Sequence, residues 1–160
     1  MKNSLIVYFS LTGRTEKVGK IISEFLKNKG VNVSLFKLIP EHNYSFFKNC
    51  QLALKEKEIP LKKIPEINNY DFLFIGSPVW AFNITPAIRT FLNKSNLSGK
   101  NVFLFTTYGS GIGKEKAMRK MEELVKEKGG KIKGKIEVKG KNVDKEKDKI
   151  EKEAEKCLKE

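Results

Sequence analysis

Little in this chain offers to hold a metal ion or to staple the fold covalently: its 160 residues include two cysteines and one histidine. Cys50 and Cys157 form no C-x-x-C pair and have no His cluster beside them, which argues against zinc and dithiol-redox chemistry. The residue pattern of Cys157 reads as core, and so sparse a cysteine content suits a reducing compartment. The lone His42 falls in a loop and no G-x-S-x-G occurs, so a serine-hydrolase reading has neither an elbow nor a base. Walker A and the dinucleotide G-x-G-x-x-G are also missing. No apolar run approaches the roughly 20 residues of a membrane span. Met1-Lys2 leads straight into strand-like sequence, not into a signal-type apolar stretch. The expectation is a soluble, cytoplasmic protein without metal, membrane contact or a catalytic side chain of its own.

Acidic residues are also scarce, with 19 Asp and Glu against 32 Lys and Arg, for a formal charge of +13. That charge raises a nucleic-acid-binding reading. Against it, the lysines are spread over all the helical stretches, interleaved with glutamate, and no basic stripe carries interleaved aromatics. Solvated helix faces explain them more simply, so no nucleic acid is expected, and acidic protein partners are the secondary implication. A length of 160 residues with 39% hydrophobic content is enough for one core without crosslinks. A single domain over 1–160 follows, with no repeat, linker or low-complexity segment outside the Lys/Glu-rich tail.

What is present alternates between strand and helix. The runs Leu5–Phe9, Phe72–Ile75 and Val102–Phe105 are nearly all apolar, as in strands buried on both faces of a parallel sheet. Residues 31–35 and 132–139 alternate instead, and the second carries lysine at most outward positions, which suits edge strands. Placing strands 2 and 5 at the edges gives the order 2-1-3-4-5, with a ligand expected outside the carboxyl ends near strands 1 and 3. Apolar stripes through Val18–Leu26, Ala87–Leu92, Ala117–Val125 and Ile150–Leu158 predict helices that cover the sheet. Thr85-Pro86 reads as a cap and first-turn pair. Between Pro40 and Pro65 a helix is expected near 46–57.

Directly behind the first strand stands Ser10-Leu11-Thr12-Gly13-Arg14-Thr15, followed by helix-period sequence. A helix start offers unpaired N–H groups and a partial positive charge, so this turn is an anion cradle sized for a single phosphomonoester. Ser10, Thr12 and Thr15 bring hydroxyls, and Gly13 brings freedom to curl the backbone. Two further loops stand at strand ends: Pro78-Val79-Trp80-Ala81-Phe82-Asn83 after the third strand, and Thr107-Tyr108-Gly109-Ser110-Gly111 after the fourth.

Ser-x-Thr-Gly-x-Thr after a first strand resembles the phosphate loop of flavodoxins and flavodoxin-like reductases, and the other two segments are similar to that family's remaining flavin loops. The resemblance runs over nearly the whole chain. It implies a flavodoxin-like three-layer α/β sandwich, with helices on both faces of a five-stranded parallel sheet, and FMN as cofactor. Residues 10–15, 78–83 and 107–111 would then contact it. Arg14 departs from the family's usual short polar residue; it either pairs with the phosphate or points to solvent. Trp80 stacks on the flavin or folds under the next helix as core. Phe82 is expected to pack against the protein, and Asn83 to bond a ring edge or start a turn. Ser110 stands where electron carriers often place a second aromatic, which leaves one flavin face open.

Ala81 stands where flavodoxins often have glycine. If the peptide there must adopt a positive φ on reduction, its Cβ costs about 1–2 kcal/mol, which tilts the chemistry toward two-electron transfer. The expected function is therefore transfer of electrons or hydride equivalents between a redox donor and an acceptor, small molecule or acidic protein, as in quinone or flavin reductases. A one-electron carrier is the alternative, and a basic nucleic-acid module a further one.

Overall fold

A computed structural model describes Met1 and residues 3–159. Five parallel strands form one sheet in the order β2-β1-β3-β4-β5. They are β1 (Asn3–Tyr8), β2 (Asn32–Lys37), β3 (Phe72–Pro78), β4 (Asn101–Tyr108) and β5 (Lys131–Lys139). Five helices connect or follow them: α1 (Arg14–Asn28), α2 (Phe46–Leu54), α3 (Pro86–Asn93), α4 (Lys114–Glu127) and α5 (Lys147–Leu158). The expected flavodoxin-like sandwich and strand order are therefore present. Among the described residues no helix is long and apolar enough to cross a membrane.

The apolar runs split by pleat, because successive side chains of a strand point to opposite faces. Leu5, Val7, Leu73, Ile75, Val102 and Leu104 pack under α2, α3 and α4. Ile6, Tyr8, Phe72, Phe74, Phe103 and Phe105 pack under α1 and α5, where Cys157 is buried as core. Phe72, Phe74 and Phe103 form a tilted ring series with centroids 5.0 and 5.4 Å apart. Gly76 lies beside this layer, and a Cβ there would stand 2.1 Å from the Phe105 ring. That glycine is what lets β3 and the aromatic layer close.

One local expectation is corrected, and the Thr85-Pro86 pair stands at the N-cap and first turn as expected. The helix expected near 46–57 ends at Leu54, and Glu56 then takes φ +56°, which breaks the helical path. Thr85 does occupy the N-cap of α3, but its side chain makes no capping bond. Its amide instead donates to Ser77 Oγ at 3.1 Å, which ties the start of α3 to the end of β3.

Candidate functional site

Parallel strands place all their carboxyl ends on one rim, so the loops after β1, β3 and β4 converge there. They enclose a cavity of about 500 Å³. The size falls in the range of small-molecule sites. Of the expected site residues, all of 10–15 except Gly13, all of 78–83 except Asn83, and all of 107–111 line it. Phe46, Ile112 and Gly140 also line it.

At one end lies the start of α1. Gly13 takes φ +89° and its amide donates to Ser10 Oγ at 3.1 Å, so Gly13 shapes the loop without lining the cavity. The first amide to enter the helical ladder is that of Lys17, which donates to Gly13 O. By helix geometry the N–H groups of Arg14, Thr15 and Glu16 remain available to an anion. Thr15 Oγ1 and Thr107 Oγ1 lie 2.7 Å apart and buried, which fixes this loop to the end of β4. Arg14 is exposed, and its stem crosses Gly140, where a Cβ would stand 2.7 Å from Arg14 Cδ.

Behind the cradle, Tyr8 Oη donates to Glu16 Oε1 at 2.9 Å. This bond, helped by Lys37 and Lys20, holds the Glu16 carboxyl below the ordinary range against the opposing effect of burial. Burial first, and the glutamate second, push the Tyr8 phenol well up.

The middle wall is the turn after β3. Backbone bonds of 2.9 Å run both ways between Trp80 and Asn83, and the two central residues Ala81 and Phe82 have φ of +48° and +64°. A turn with two left-handed central residues normally selects Gly, Asn or Asp. Here neither residue is of that kind, and each carries about 1–2 kcal/mol of backbone strain. The positive φ at Ala81 is thus already present in the resting fold. It does not await reduction of a cofactor, so the Cβ of Ala81 adds no penalty at that step.

Trp80 is only 7% exposed. It is clasped edge-to-face by Phe9 and Phe46, each with its centroid 5.4 Å away, so it serves the core and the cavity wall together. Phe82, expected to pack inward, is 45% exposed. Its backbone nevertheless rests on Gly113, where a Cβ would fall 2.8 Å from Phe82 Cα.

Asn83 turns away from the cavity. Its Oδ1 accepts from Ile84 N at 2.9 Å and from Arg89 Nη2 at 2.8 Å, and its Nδ2 approaches Glu56 Oε1 at 3.4 Å. Burial lowers the pKa of the Arg89 guanidinium, opposed by Glu56 and Glu58. Glu56 accepts from Lys120 Nζ at 3.0 Å. That bond, with the nearby Arg89 cation, holds its carboxyl below the ordinary range against burial. Neither Arg89 nor Glu56 carried a motif by which sequence alone would single it out.

The far wall is 107–111. Ser110 is exposed, and its Oγ accepts from Ile112 N at 3.3 Å. The Tyr108 ring lies 4.6 Å below Lys114 Nζ. Apart from its chain neighbours, nothing described lies within 4 Å of where a Cβ on Gly109 would stand. The site therefore offers anion donors at one end, an aromatic wall in the middle and open space beside Gly109 on the far side.

A family profile described as Flavodoxin matches residues 3–151. The NAD(P)H dehydrogenase (quinone) 3 of Rhizobium meliloti (strain 1021) is 28% identical over 120 residues, which are 71% of this chain and 56% of that protein. The chain thus spans about half the length of that curated relative. Among solved structures, a flavoprotein from Lactobacillus acidophilus NCFM in complex with FMN superposes with a TM-score of 0.70 at 26% identity, covering 91% of this chain and 98% of that one. Oxidised flavodoxin 2 from Bacillus cereus gives 0.70 at 21% identity, with 98% of both chains covered, a likeness of fold.

Proposed function

The chain belongs to the flavodoxin family, and from that premise we propose an FMN-dependent oxidoreductase whose bound flavin is open to small redox molecules. The cofactor is FMN, and the residues present fit it. A cavity of about 500 Å³ joins a helix-start phosphate cradle to an aromatic wall. When bound, FMN supplies the redox chemistry, accepting two electrons and a proton from a reduced donor and returning them to an acceptor of the quinone class.

The rest is the protein's part. The amides and hydroxyls of residues 10–15 would hold the phosphate, and the Thr15–Thr107 hydrogen bond keeps that cradle in register with the third loop. Trp80 would stand against the inner face of the ring, while the Ala81 and Phe82 peptides would face its edge. Burial of Trp80 between two aromatic rings excludes water from the inner wall.

The observation that carries direct access is Ser110, a small exposed residue at the centre of the loop where a shielding aromatic would stand. The quinone dehydrogenase relative supports the same reading. A one-electron carrier is the second reading, favoured by the 56% coverage of that relative's length. Stopped-flow mixing of the FMN-loaded protein with reduced nicotinamide or a soluble quinone separates them. Direct reaction is expected, and Ser110→Trp should slow it about tenfold, equivalent to about 1.4 kcal/mol of barrier, with FMN still bound. Absence of any direct reaction with either class in the wild type would favour the carrier.

A further inference from the structure

Arg89 is 5% exposed, stands in the first turn of α3, and its Nε has no hydrogen-bond partner. Each of these circumstances is unfavourable. A buried cation loses hydration, an orphaned N–H leaves part of that loss uncompensated, and a positive charge at a helix start opposes the helix dipole. An apolar side chain of similar length would pack there at no such cost. Stability of the fold alone thus gives little reason for a guanidinium at this position.

What it does provide is a donor at a particular point. Its Nη2 bonds Asn83 Oδ1 at 2.8 Å, and the Asn83 backbone closes the strained turn through both bonds to Trp80. Glu56 reaches the same asparagine from outside at 3.4 Å and is itself anchored by Lys120 of α4. Glu56 and Glu58 balance the cation. The turn so held contains two non-glycine residues in left-handed conformation, a state that persists only when its surroundings over-determine it.

We infer that Arg89 is a positioning residue for the cofactor-facing turn: through Asn83 it holds Trp80–Asn83 in the left-handed form that presents Ala81 and Phe82 to the cavity. The inference rests on the reading that this cavity holds FMN. Arg89 itself does not line the cavity and touches no reacting atom. Its influence is on the ring end of the site, away from the phosphate cradle.

The test uses Arg89→Met in the full chain, with three readouts. Because Trp80 is the only tryptophan, acrylamide quenching of its fluorescence in cofactor-free protein reports the turn directly. Thermal unfolding reports stability, and titrations with FMN and riboflavin report the ring site. Arg89→Met should leave Tm unchanged or raised, make Trp80 more accessible, and weaken FMN and riboflavin alike by about tenfold, or about 1.4 kcal/mol. Arg89→Lys, which keeps a donor, should recover part of the affinity. Adding Arg89→Met to Asn83→Ala should weaken binding no further than Asn83→Ala alone.

A lowered Tm with both affinities unchanged would make Arg89 a stability residue and overturn the inference. So would loss of FMN affinity with riboflavin untouched, since the effect would then act on the phosphate. Unchanged riboflavin affinity in Asn83→Ala overturns it from the other side, even if Arg89→Met fails to fold. Failure of the wild type to bind either flavin would remove the functional reading, while Trp80 quenching would still decide whether Arg89 holds the turn.

Discussion

Replacing Ala81 by glycine perturbs the strained turn at its most diagnostic point. Ala81 has φ +48°. For a residue with a Cβ, that conformation costs about 1–2 kcal/mol. Glycine removes the cost but gains unfolded-state freedom worth about 0.4–1 kcal/mol. The difference predicts that Ala81→Gly stabilises the cofactor-free protein by about 0.5–1 kcal/mol, a rise in Tm of roughly 1–4 °C for a chain of this size. Ala81→Val should move the other way, because a β-branched residue tolerates a positive φ less well. Thermal and urea unfolding of the three proteins supply the comparison. A destabilised glycine variant would refute the reasoning, since it would mean either that Ala81 is not left-handed in the resting fold or that its methyl contributes more than its strain costs.

Two further outcomes follow from neighbouring geometry. Gly113→Ala would place a Cβ 2.8 Å from Phe82 Cα at a φ of +81°, and backbone does not yield as a side chain would. Strain and overpacking together predict a loss of about 2–4 kcal/mol in urea unfolding; a neutral variant would show the Phe82 turn free to move. Glu16 is held low chiefly by the Tyr8 hydrogen bond, with Lys37 and Lys20 assisting. Its contribution is thus fully present above the ordinary glutamate value of 4.5 and is lost as pH falls through the lower folded value. Tyr8→Phe should shrink the drop in Tm between about pH 7 and about pH 3, and an equal drop in both proteins would remove the Tyr8–Glu16 bond as its source.

The sheet was legible because the physics behind it is short-range and periodic. Continuous apolar runs mark Leu5–Phe9, Phe72–Ile75 and Val102–Phe105 as buried on both sides, and the lysine-studded alternation of 132–139 marks an edge; both readings match the sheet. The turn at 10–15 was legible for the same reason: its hydroxyls and Gly13 fall between a strand and a helix start, and the fold brings it to the cavity. The turn at 80–83 was not. Its left-handed residues are Ala81 and Phe82, types that carry no turn signal, so the conformation is imposed by Trp80 and Asn83 across the turn and by Gly113 beneath it. Phe46, Glu56 and Arg89 reach this turn from parts of the chain far away in sequence. No local pattern announces such contacts.

The central claim is that the cavity holds FMN by its phosphate at residues 10–15, and Thr12→Asp tests it most directly. Thr12 lines the cavity and is exposed, so a carboxylate there meets the phosphate without disturbing the core. Fluorescence titration of wild type and variant with FMN and with riboflavin gives four dissociation constants. The account predicts that Thr12→Asp weakens FMN by at least about tenfold, or about 1.4 kcal/mol, while riboflavin, which lacks the phosphate, is bound as before. Equal losses for the two ligands, or no loss for FMN, would contradict it.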